Sequence, residues 1–98
     1  MHDLLARQIN LLNDAIGAYR QGALELNSLI QRIAGVSEGL GMEEWKDEIY
    51  PIVLSLEMIN AFALAANRGL TEADKISVDN SLSILEKLVD RFQDRIGK

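Results

Sequence analysis

An all-α fold follows from three observations. Apolar residues recur at alternating steps of three and four along most of the chain, no segment alternates with period two, and only short connectors separate the periodic runs. A length of 98 residues allows one domain, and 48% hydrophobic with 26% charged residues describes a globular chain, not a disordered one. The expectation is a single domain over residues 1–98, a compact antiparallel bundle of about four helices with the third kinked at Pro51.

The first helix is written by Leu5, Ile9, Leu12, Ile16 and Tyr19, one apolar stripe that Leu4 and Leu11 widen. Asp3 is placed to cap its start and Gly22 to end it, while Gly17 weakens its interior by about 1 kcal/mol relative to alanine. The second helix is expected over about residues 24–36, with Leu26, Leu29, Ile30 and Ile33 inward. The glycine-rich stretch 35–41 should break it, because repeated glycine favours left-handed conformations. The third runs from 42 to about 67 and is interrupted near Tyr50, since the residue before a proline resists the α conformation. Gly69 is expected to end it. Thr71, with Asp74 three residues on, resembles a capping box in which Asp replaces Glu. Behind it Val78, Leu82, Leu85, Val89, Phe92 and Ile96 form the stripe of the fourth helix.

The inventory excludes several chemistries. The absence of cysteine removes disulfides, thiolate zinc sites and a cysteine nucleophile, and suits a reducing cytoplasm. The one histidine, His2, cannot supply the paired Glu-x-x-His ligands of a di-metal bundle. No GxGxxG, P-loop or GxSxG pattern occurs, and nothing suggests a cleft around paired carboxylates such as Glu44 and Glu48. No enzyme and no cofactor is expected. A pI near 4.7 argues against nucleic acid as a partner. The run 49–66 carries one charge, Glu57, but is shorter than the about 20 apolar residues of a membrane helix. It reads as a central helix covered on most sides.

The net charge of −5 is not spread evenly. Residues 1–36 and 58–98 are each neutral, whereas 37–57 holds Glu38, Glu43, Glu44, Asp47, Glu48 and Glu57 against Lys46 alone. On a helical wheel with Glu43 at zero, Asp47 falls at about 40°, Glu44 at about 100° and Glu48 at about 140°. Trp45, Ile49, Ile52 and Val53 lie on the opposite side. The four acids therefore share a solvent face, with Tyr50 at its edge and Glu38 extending it from the preceding loop. Acids in a first helical turn favour the macrodipole, which accounts for Glu43 and Glu44 better than for Asp47 and Glu48. A solvated face and a docking surface both remain open.

Glu57 and Asn60 lie three apart in the apolar run, where a buried Glu needs a partner; an internal polar pair, with Arg20 or Arg32 of another helix, is expected. Leu54, Met58 and Phe62 point outward from the same helix. Such rows serve as core more often than as binding surface, but exposure would make them a sticky patch.

One local pattern spans the second helix and beyond. Tyr19-Arg20-x-Gly22-x-Leu24-x-Leu26-Asn27-x-Leu29-Ile30-x-Arg32-Ile33-x-Gly35, followed by Trp45 and by Leu56-Glu57-x-Ile59-Asn60-Ala61, resembles small all-helical bacterial immunity proteins. These are encoded beside toxins of contact-dependent growth inhibition and related polymorphic toxin systems. The resemblance implies a non-enzymatic inhibitor that binds one cognate toxin domain, often a nuclease with a basic cleft, in the cytoplasm of the producing cell. It does not assign contact residues. The wheel and the charge map offer Glu43, Glu44, Asp47 and Glu48 as electrostatic contacts, Tyr50 as aromatic anchor and Glu38 at the rim. The competing expectation is an interaction or regulatory bundle without a toxin, possible as a homodimer through Leu54, Met58 and Phe62.

Overall fold

The computed structural model describes the backbone of residues 2–96 and the side chains of residues 5–94. Four helices carry the chain: α1 (His2–Arg20), α2 (Leu26–Leu40), α3 (Glu43–Ala65) and α4 (Glu72–Ile96). Each packs on the next in chain order, and α4 returns to α1 through the smallest of the four interfaces. The result is the expected all-α antiparallel bundle, 45 × 25 × 19 Å. The expected cap Asp3 lies inside α1, which already includes His2, and the side chains of the stripe positions Leu4 and Ile96 are outside the described ones.

The stripes meet in one core. Ile9, Leu12 and Ile16 of α1 join Leu29 and Ile33 of α2, Trp45, Ile49 and Leu56 of α3, and Val78, Leu82, Leu85, Val89 and Phe92 of α4. Leu5 and Tyr19, at the ends of the first stripe, pack against it half-buried. Leu11 does not widen that stripe as expected. It is 51% exposed, and the small side chain of Ala15 is buried instead.

Two of the three helix ends differ from expectation. As expected, α1 stops at Gly22, where φ is +80°. The amide of Ala23 donates to the Ala18 carbonyl at 2.8 Å and that of Gly22 to the Tyr19 carbonyl at 3.0 Å, a Schellman motif. The second helix, however, does not break at Gly35. It continues through Gly35 and Gly39 to Leu40 and ends only at Gly41, with φ +64° and its N–H bonded to the Ser37 carbonyl at 3.2 Å. Burial of Val36 and Ser37 and the packing of Leu40 outweigh the about 1 kcal/mol that each helical glycine costs. Likewise α3 is not interrupted at Tyr50: the helix runs on through Pro51. Proline removes one N–H from the ladder, but Pro51 and Asp47, whose carbonyl loses that partner, both face solvent. Asn67, not Gly69, ends α3. It adopts φ +52°, while the Arg68 amide reaches the Ala63 carbonyl at 3.1 Å and the Asn67 amide that of Leu64 at 3.0 Å.

The capping box before α4 is formed as read. The Thr71 amide donates to Asp74 Oδ2 at 3.0 Å, and the Asp74 amide to Thr71 Oγ1 at 3.1 Å. Arg68 Nη1 adds a bond to the same Oδ2 at 3.0 Å. The Thr71 amide, then the Arg68 guanidinium, hold the Asp74 carboxyl below the usual carboxylate range.

One polar contact sits inside the core. Ser37 is the buried polar residue among the described ones, 7% exposed. Its hydroxyl donates to the Ile33 carbonyl at 2.9 Å and accepts from Trp45 Nε1 at 2.9 Å. Trp45 is fully buried and meets Phe92 edge to face, with ring centroids 5.3 Å apart. A single indole thus ties α2, α3 and α4 together and fixes how α3 is rotated about its axis.

Candidate functional site

That rotation decides what α3 shows to solvent. With Trp45, Ile49, Ile52 and Leu56 inward, its outward side begins with Glu43, Glu44, Asp47 and Glu48, all exposed. Met42 starts the helix in an extended conformation without a side-chain cap, so Glu43 and Glu44 in the first turn complement the free amides electrostatically. Tyr50 stands next on this face, 66% exposed, and Glu38 is exposed on the last turn of α2. Glu38 lies on a helix, not in a loop.

The six candidate residues are not electrostatically alike. Glu48 turns toward α4, where Arg91 Nη2 donates to its Oε2 at 2.7 Å. Glu38 Oε2 lies 3.9 Å from Lys46 Nζ across the two-residue connector. Both pairs are solvent-exposed and therefore weak. Glu43 and Asp47 project outward beside Glu44. The Arg91 contact was invisible to a wheel drawn through α3, because its partner lies 43 positions away.

Toward its C-terminus the outward side of α3 changes character. Leu54, Met58 and Phe62 are 42%, 52% and 66% exposed, so the row is surface, not core. The expectation of a central helix covered on most sides fails with it. Contrary to the length argument above, helix α3 is long and apolar enough to cross a membrane by length and composition, and only 22% of that stretch is buried in the bundle. Glu57 is exposed as well, and the expected internal pair does not form. Asn60 Nδ2 instead lies 3.4 Å from Asn27 Oδ1, while Arg20 bridges to Asp79 at 3.2 Å and Glu86 at 2.9 Å on α4. A shallow groove of about 290 Å³ follows the α3–α4 seam, bounded by the Glu48–Arg91 pair, Pro51, Ser55, Ser81 and Ile84.

Among the described residues no group of three or more His, Cys, Asp or Glu could hold a metal ion. What α3 presents is one continuous outward side, acidic over its first two turns and apolar over the next four. The class that this fold defines is a small all-α four-helix bundle with one side of α3 exposed. Comparisons with protein-family models, with curated proteins and with solved structures found no match.

Proposed function

We propose that this chain is a non-enzymatic protein-binding module, and specifically an immunity protein that neutralises a cognate toxin domain inside the producing cell. The acidic start of α3 docks on a basic surface, as the substrate cleft of a nuclease toxin would provide. One observation supports this reading above the others. The whole net charge of the chain falls in residues 37–57, and Glu43, Glu44 and Asp47 stand together on the exposed side of a helix whose other side is locked into the core. Charge so placed steers encounter with a basic partner and repels acidic ones.

Within this reading the contacts divide. Glu43, Glu44, Asp47 and Glu48 make the electrostatic contacts, Tyr50 supplies an amphipathic anchor beside them, and Glu38 contributes at the rim. The test is co-expression with the toxic domain of the protein encoded alongside, reading growth rescue and co-purification. The triple variant Glu43→Lys, Glu44→Lys, Asp47→Lys should fold, lose rescue and associate roughly tenfold or more slowly at low salt. Full rescue by that variant, with an association rate insensitive to salt, overturns the acidic-face mechanism.

A further inference from the structure

The apolar half of the α3 face is a separate feature, and the acids do not explain it. Tyr50, Leu54, Met58 and Phe62 recur every four residues and are each between 42% and 66% exposed. Together they leave on the order of 500 Å² of largely apolar surface per copy, or on the order of 1,000 Å² for a pair, the lower bound of a specific interface.

The geometry points to a second copy of this chain as the occupant, docked α3 against α3 in antiparallel orientation about a two-fold axis near residue 56. Charge selects the orientation. A parallel pair would set Glu43, Glu44, Asp47 and Glu48 of one copy beside the same four of the other. An antiparallel pair moves the two clusters to opposite ends, about 30 Å apart at 1.5 Å per residue. Each cluster then lies at the end of the neighbouring α3 that leads to Arg68, and the central segment 49–63, symmetric about the axis, carries Glu57 as its one charge in each copy. The row is also self-complementary in this register. A two-fold interface pairs residue i with j and j with i. Here the positions paired across the axis sum to 112, so Tyr50 faces Phe62 and Leu54 faces Met58. Aromatic meets aromatic at both ends and aliphatic meets aliphatic at the centre. The inference does not rest on the toxin reading: the two share only Tyr50, and Leu54, Met58 and Phe62 belong to the other half of the helix.

Sedimentation equilibrium on the full chain, from about 1 µM to about 1 mM, spans the affinities expected of an interface this small. The mass should rise with concentration from 10.9 kDa toward twice that value. Met58→Glu lies on the exposed face, so its helical circular dichroism should be unchanged while its dimer dissociation constant rises roughly tenfold or more. The chain has no cysteine, so register can be read by disulfide trapping. A mixture of Tyr50→Cys and Phe62→Cys chains should give the mixed disulfide. Tyr50→Cys alone should not link to itself, because the two copies of position 50 stand about 18 Å apart along the axis. A chain that stays at monomer mass, a dimer that Met58→Glu leaves intact, or efficient Tyr50→Cys self-linking overturns the proposal.

Discussion

Replacing Ser37 by alanine tests whether the buried hydroxyl serves the indole or only its own helix. In the native core the Trp45 N–H has Ser37 Oγ as its acceptor at 2.9 Å, and Trp45 is fully buried. Removing Oγ strands a buried donor, which costs about 1–3 kcal/mol. The Ile33 carbonyl loses less, because it lies within the helical ladder. Against the loss stands the better helix propensity of alanine, about 0.5 kcal/mol. The net destabilisation is therefore about 1–2 kcal/mol, a fall in melting temperature on the order of 5–10 °C for a domain of this size. Urea unfolding followed by far-ultraviolet circular dichroism measures it, in the native chain and again with Trp45→Phe. Phenylalanine has no N–H to satisfy, so in that background Ser37→Ala should be neutral or slightly stabilising. An equal cost of Ser37→Ala in both backgrounds refutes the argument, since the hydroxyl would then be acting on α2 alone.

Three further outcomes are expected. Asp74 is held below its ordinary pKa by the Thr71 amide and by Arg68, so its contribution is present above the unfolded carboxylate value and lost as pH falls through the folded one; the stability gap between native chain and Asp74→Ala should be constant above about pH 5 and close in acid. Glycine to alanine changes should have opposite signs in α2. Gly35→Ala, inside the helix with open space around its Cβ, should raise stability by about 0.5–1 kcal/mol in thermal melts, whereas Gly41→Ala, at φ +64°, should lower it by about 1 kcal/mol. A double-mutant cycle on Glu48 and Arg91, both largely exposed, should return under about 1 kcal/mol and shrink as salt is added.

How much of this was legible in the sequence depended on whether the deciding partner was local. The Thr71–Asp74 box, the stop at Gly22 and the stripe from Val78 to Phe92 are set by residues within a few turns of one another, and all are as read. The end of α2 lies beyond Gly35 because glycine propensity is a weak local preference that the burial of Val36 and Ser37 overrides. Periodicity places Leu54, Met58 and Phe62 together on one side of α3, but a wheel gives angles and not coverage; among the described residues no helix covers that side. The same limit applies to the candidate site. The shared face of Glu43, Glu44 and Asp47 follows from the wheel, whereas the capture of Glu48 by Arg91 depends on how two helices far apart in sequence are docked.

The indole at the centre of the bundle has an optical consequence. Trp45 is the only tryptophan in the chain, sealed from water and set edge-on to Phe92, so its emission should be blue-shifted in the folded protein. That light reports whether α3 is still joined to α2 and α4. Helix α1 supplies neither the hydrogen bond nor the ring contact, and it meets α4 through the smallest interface of the bundle. Detachment of α1 would cost circular dichroism signal while leaving both of those contacts in place. Coincident transitions by the two probes mean that the four helices melt as one unit, and a lag between them times the departure of the first helix.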